Sequence, residues 1–253
     1  GITDEMVKGA PKEGEALRSL LSEDDDKTDD GDNGEVELLD DETVRGFVGE
    51  CKAAYPLLDV DNPVSYGSFT MAEYYFEIKR NQMEGMNNVL TVYEELAAEL
   101  AKETGRNYAP VEDYRADDAD YVIVIMSSAA GVVKDVVDEL RDEGVKAGML
   151  RVRFFRPFPA EEFKSLARGK KGVAVLDRSA SIGGTAPLAA EIKSVLYDLE
   201  ERVPVQEYIF GLGGRDFFAA DARAVFERMM KNDYRAGARF IGLLERGGED
   251  VRD

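Results

Sequence analysis

The chain has 253 residues, a formal charge of −20, no histidine, no tryptophan and a single cysteine, Cys51. These absences exclude a Ser-His-Asp triad, a Cys-His nucleophile pair, a His-ligated zinc, an internal disulfide and a cysteine-held iron–sulfur cluster. With no histidine to activate it, Cys51 is not expected to act as a nucleophile. The acidic balance opposes nucleic acid or an anionic membrane as partner, and no apolar run approaches the roughly 20 residues of a membrane span. The first residues show neither the basic nor the apolar region of a secretory signal, so the expected location is the cytoplasm.

The charge is concentrated at the start. Residues 1–50 hold 17 acids and 5 bases, and the excess centres on Glu23-Asp24-Asp25-Asp26-Lys27-Thr28-Asp29-Asp30. A block of like charges cannot bury apolar surface, so residues 1–37 are expected to form a largely disordered acidic leader. An EF-hand fails there: counted from Asp25, the sixth position is Asp30 rather than glycine and the twelfth is Val36 rather than glutamate. A short helix or turn is expected over Leu38–Gly49. The prolines and Asp/Asn residues of Tyr55–Gly67 then predict an extended run.

A long helix is predicted from Thr70, with Thr70 as N-cap, Glu73 completing a capping box, and Gly105 as the stop. Tyr75, Ile78, Met86, Val89, Tyr93, Leu96 and Leu100 recur at helical spacing and form one apolar stripe. A helix of this length suits a bridge between two bodies. Residues 38–106 are therefore read as an extended linker plus a bridging helix, and residues 107–253 as an α/β domain.

Within that domain the pattern alternates. Strands are predicted at Tyr121–Met126, Lys146–Val152, Gly172–Leu176 and Val205–Phe210, and helices at Ala129–Glu143, Ala160–Ala167, Pro187–Leu199 and Ala219–Met230. The alternation implies an α/β fold with a mostly parallel sheet and helices on both faces. Ligands of such sheets gather at the carboxyl ends of the strands, where three turns stand out. Met126–Gly131 reads most simply as a serine N-cap with tight helix–strand packing, although its amides could receive an anion. Asp177-Arg178 with Gly183-Gly184 is a polar loop whose arginine could bind a carboxylate or phosphate, or pair with a neighbouring chain. Phe210-Gly211-Leu212-Gly213-Gly214-Arg215-Asp216 resembles a dinucleotide turn, but Asp216 stands where the third glycine belongs, which rejects NAD or FAD. There Gly214 is expected to supply a positive φ and Asp216 to cap the next helix.

Several of these stretches carry a resemblance. Tyr55–Gly67 with Glu73-Tyr74-Tyr75-Phe76, Leu150–Pro159, Val175-Leu176-Asp177-Arg178 and Tyr208–Asp216 resemble, in order, the α subunit of pyruvate:ferredoxin oxidoreductase, from about Leu38 to about Met230. The resemblance implies a transketolase C-terminal-like domain within a thiamine-diphosphate enzyme. That enzyme decarboxylates a 2-oxoacid oxidatively, passes electrons through [4Fe–4S] clusters to ferredoxin and delivers the acyl group to coenzyme A. It also implies partner subunits of β, γ and δ type. Nothing before Leu38 resembles the pyrimidine-binding domain that opens such a subunit, so no catalytic, cofactor-binding or metal-binding residue is carried over. Thiamine diphosphate, Mg and the clusters are expected elsewhere in the complex. The chain alone is expected to be inactive, with Asp177, Arg178, Gly183, Gly184, Gly211, Gly213, Gly214, Arg215 and Asp216 as a possible interface or ligand loop. The alternative is a free-standing α/β module that binds a small anion at those same turns.

Overall fold

The computed structural model describes residues 39–50, 52–67, 69–244 and 250–251. The acidic leader and Cys51 lie outside the described residues. The chain divides into two units, one ending at Val64 and one beginning at Ser65.

In the first unit, helix α1 spans Asp41–Val48. Its start is set by Asp40, whose carboxylate accepts the Glu42 and Thr43 N–H groups at 2.9 Å each, leaving fewer orphan donors in the first turn. Beyond it no helix or strand forms among residues 52–64. Asp59 accepts the Asp61 and Asn62 N–H groups, a side-chain turn that replaces helical bonding.

The second unit opens with two helices where one was predicted. Helix α2 is Ala72–Asn87 and helix α3 is Val89–Thr104. The break falls at Asn88, whose N–H turns to the Gly85 and Met86 carbonyls. Gly85 and the Asn87-Asn88 pair are weak helix formers, so the tighter turn costs little there. The predicted Thr70 cap is also corrected. The N-cap is Met71, with no side-chain hydrogen bond, and Glu73 lies inside the first turn. Gly105 does end α3, in the left-handed conformation at φ 69° with its N–H on the Ala101 carbonyl.

Six strands then form one sheet: β1 Val111–Tyr114, β2 Tyr121–Ile125, β3 Ala147–Val152, β4 Gly172–Asp177, β5 Val205–Ile209 and β6 Arg239–Phe240. Their order is β1-β3-β2-β4-β5-β6. Only β1 runs antiparallel, with Glu112 opposite Arg151, and every other pair is parallel. A short antiparallel pair, β7 Leu243–Leu244 with β8 Asp250–Val251, follows. The connecting helices are α4 Ala130–Asp142, α5 Ala160–Ala167, α6 Pro187–Tyr197 and α7 Ala219–Met230.

The apolar run of β2 is explained by cover on both faces. Val122 and Val124 pack with Phe163 of α5 and with Leu188, Ile192 and Leu196 of α6. Ile123 and Ile125 point the other way, to Val133, Val137 and Leu140 of α4 and Val225 and Phe226 of α7. A strand buried on both sides needs apolar residues at every position. Gly148 in β3 has a steric reason, since a Cβ there would lie 2.7 Å from the Ala116 Cα and the Arg115 carbonyl oxygen.

Candidate functional site

The sheet order reverses between β2 and β4. From β2 the chain steps to β3 on one side, then crosses back to β4 and β5 on the other. In such sheets the carboxyl ends of the strands beside a switch point are the usual ligand position. All three singled-out turns lie there, on adjacent strands.

The structure joins the second and third turns. Arg178 follows β4, and its Nη2 donates to the Gly211 carbonyl at 3.4 Å. Gly211 follows β5 with φ 63°, and a Cβ on it would lie 2.9 Å from the Arg178 Nε. Glycine is needed there twice over, for the left-handed backbone and for the arginine lying across it. Gly213 and Gly214 are also left-handed, at φ 67° and 80°, as expected for Gly214. Arg215 donates from Nη1 to the Gly242 carbonyl. Both arginines thus hold backbone oxygens of neighbouring segments. Gly183 and Gly184 sit in an exposed turn beside the fully exposed Ile182.

Asp177 does different work from its neighbour. Its carboxylate accepts the Leu188 N–H at 2.8 Å, at the start of α6. Burial pushes its pKa up, against the pull of the Leu188 and Ser179 amides, and the nearby Glu207 adds to the rise. Glu207, only 3 % exposed, accepts the Ala186 N–H at 2.8 Å and pairs with Lys193 at 2.9 Å. Two internal carboxylates therefore occupy the positive end of α6, whose first residue is Pro187. Sequence reasoning missed Glu207 and Lys193. The signal was an acid inside a β-strand with a lysine one helix earlier.

Two expected caps are corrected. Neither Ser127 nor Ser128 caps α4. Its N-cap is Ala129, without a side-chain bond, and the Ala130 and Gly131 amides go to the Ser127 and Ser128 carbonyls. Ser127 adopts φ 66°, outside the extended conformation typical of a capping residue. At α7 the N-cap is Phe218, and its N–H is accepted by Asp221, not by Asp216, which is exposed. Asp221 wins because it sits at the third helical position, where a carboxylate reaches back to the cap amide.

A second charged group sits on the β1–β3 edge. Glu112 takes Lys134 at 2.7 Å, Arg153 at 2.6 Å and Arg151 at 3.5 Å. Burial would raise its pKa, yet the Lys134 hydrogen bond and the Arg153, Lys134 and Arg151 charges together hold it below the usual carboxylate value. Among the described residues no group of three or more Asp, Glu, His or Cys could hold a metal ion. No described helix is long and apolar enough to cross a membrane.

These features define a doubly wound α/β domain whose strand-end loops are braced from within. Residues 119–222 match the model of the pyruvate:ferredoxin oxidoreductase core domain II. The chain is 46% identical over 211 residues to the pyruvate synthase subunit PorA of Thermotoga maritima, a match covering 83% of this chain and 54% of the relative. It is 38% identical to PorA of Methanothermobacter thermautotrophicus, over 83% of this chain and 53% of that one. It is also 38% identical to the ketoisovalerate oxidoreductase subunit VorA of Pyrococcus horikoshii, over 78% of this chain and 50% of that one. A solved 2-oxoglutarate:ferredoxin oxidoreductase from Magnetococcus marinus aligns with 68% of this chain and 28% of its own, at a TM-score of 0.47 and 14% identity. The chain resembles the α subunit of the 2-oxoacid:ferredoxin oxidoreductases and spans about half the length of the curated relatives it matches.

Proposed function

We propose that the chain is a non-catalytic, assembly-forming part of the α subunit of a thiamine-diphosphate-dependent 2-oxoacid:ferredoxin oxidoreductase, with pyruvate as the 2-oxoacid. The observation that carries this reading is the 46% identity to a pyruvate synthase subunit over 211 residues. Oxidation of the 2-oxoacid to acyl-coenzyme A belongs to the full complex. Thiamine diphosphate, Mg and the [4Fe–4S] clusters lie in other parts of it, and ferredoxin is reached through partner subunits.

The exposed apolar surface of α2 supports an assembly role. Phe76 and Met83, seven residues apart and so on one face of the helix, are 81 and 68 % exposed, and exposed apolar surface of this kind marks protein contacts. The braced turns fit the same role. Arg178 and Arg215 each give a guanidinium N–H to a backbone carbonyl of a neighbouring segment, Gly211 and Gly242, as bracing residues do.

The purified chain should bind no thiamine diphosphate and reduce no dye with pyruvate. Co-expression with the remaining oxidoreductase subunits should yield a complex that does both, faster with pyruvate than with 2-ketoisovalerate. Tight thiamine diphosphate binding by the isolated chain would overturn the reading.

A further inference from the structure

The charged group on the β1–β3 edge holds more positive charge than its own acid can use. Lys134 of α4, Arg151 of β3 and Arg153 just after it all meet Glu112 of β1. Three cations on one carboxylate leave a local charge of +2, in a chain whose total is −20. The other acids on this side of α4 do not restore the balance. Asp138 pairs with Arg115 and accepts the Tyr114 hydroxyl, and Asp135 is exposed and forms no ion pair among the described residues.

Glu112 is shared unequally. Lys134 stands 2.7 Å from Oε1 and Arg153 2.6 Å from Oε2, whereas Arg151 comes only to 3.5 Å. Arg153 is further committed, because its Nη1 donates to the Ala109 carbonyl at 3.2 Å and its guanidinium lies over the Tyr108 ring. Arg151 has no such second partner. A guanidinium carries five N–H donors, and those of Arg151 make no hydrogen bond among the described residues. None of its nitrogens is among the buried polar atoms that lack a partner, so they reach solvent, and its side chain is 24 % exposed.

The place in the sheet is one that ligands use. Arg151 stands opposite Ile125, the last residue of β2, so it lies at the carboxyl ends of the parallel strands. The local charge of +2 suits a dianion better than a monoanion. A guanidinium fork beside an ammonium also matches the several oxygens of a phosphate.

We propose that Arg151 and Lys134 form a binding site for a phosphate group at the carboxyl end of β3, with Glu112 gathering the cations and competing with the ligand for them. No partner chain or thiamine chemistry is needed for such binding, so its failure and the failure of the oxidoreductase reading are distinguishable.

The test titrates the 253-residue chain with inorganic phosphate in a calorimeter, at about pH 8, where a phosphate group is fully ionised, and at constant ionic strength set by chloride. The chain should take up phosphate saturably, although its total charge of −20 repels dianions in general. Arg151→Gln should weaken binding about tenfold or more. Glu112→Gln, which removes the competing carboxylate, should tighten binding several-fold, a response that a purely structural ion cluster would not give. Lys134→Met should also weaken binding, and it decides the matter if either other variant misfolds by circular dichroism. Methyl phosphate in a parallel titration separates the two sources of the group: equal affinity assigns the site to phosphate itself, and tighter binding assigns it to a phosphate ester. Absence of saturable binding by the unaltered chain, full-strength binding by Arg151→Gln or Lys134→Met, or unchanged binding by folded Glu112→Gln would each overturn the proposal.

Discussion

Strand β2 and helix α2 are both rich in large apolar residues, and they end in opposite environments. Every residue of β2 from Val122 to Ile125 is wholly buried, whereas no residue of α2 is buried. The difference is one of cover. Four helices of the same chain close both faces of the sheet, while nothing described covers Tyr74, Phe76 and Met83. Helix α3 lies between these extremes. Its Tyr93 ring stacks on Phe154 at 4.3 Å and its hydroxyl donates to the Tyr108 carbonyl at 2.7 Å, so the predicted stripe is half satisfied within the chain. Among the described residues the sheet is thus self-sufficient, and α2 carries apolar surface that none of them buries.

The sharpest way to break this comparison is inside the core. Phe163 is wholly buried and stacks on Phe158 at 5.7 Å, so Phe163→Ala should cost about 3–5 kcal/mol in denaturant unfolding. A loss below about 1 kcal/mol would mean that the sheet is not the stabilising body of the chain.

Next in size is Glu207, which holds the Ala186 amide and Lys193 from a buried position. Glu207→Gln can keep the amide contact but not the charge pair, and should lower stability by about 2 kcal/mol. Gly211→Ala comes after it. The left-handed backbone costs a side chain about 1–2 kcal/mol, and the new Cβ would push the Arg178 Nε from its 2.9 Å approach. An unchanged Gly211→Ala variant would show that Arg178 does not brace the turn.

Glu112 gives the comparison a pH axis. Its folded pKa lies below the ordinary glutamate value of 4.5, because Lys134, Arg153 and Arg151 outweigh its burial. The charged form is therefore favoured by folding, and its stabilising effect is full above pH 4.5. That effect drains away as pH falls through the lowered folded value. The stability of Glu112→Gln should be lower than that of the unaltered chain at pH 7, and the gap should narrow as pH falls below 4.5. A gap that stays constant across that window would remove the carboxylate charge from the account.

The parts legible in the sequence were those with strong periodicity or continuous apolar content. The α5 and α7 boundaries agree with the predicted ones at both ends, because Pro159 and Met230 mark clear changes of pattern. β1 and β6 were missed. Val111-Glu112-Asp113-Tyr114 carries two acids in four residues, and Arg239 looks exposed in sequence but is buried on Asp233. Such edge strands depend on partners far away in the chain rather than on local propensity. The site was half legible for the same reason. The glycines of the Gly211 turn announced their backbone, but the arginine lying across it and the carboxylates on α6 come from segments that meet only in the fold.

The smallest expected effect on the chain itself falls on α2, and there the comparison is most informative. Phe76 is 81 % exposed, so Phe76→Ser should shift unfolding by no more than about 0.5 kcal/mol. If α2 exists to be covered by a partner, the same substitution should sharply reduce recovery of the chain with its co-expressed oxidoreductase subunits, since exposed aromatics that become buried in an interface carry much of its binding energy. Lys79→Ala, on the same helix, keeps the aromatic surface and should assemble normally. Loss of assembly in both variants would point to damage to the helix, and normal assembly of Phe76→Ser would return α2 to being a solvent-facing strut.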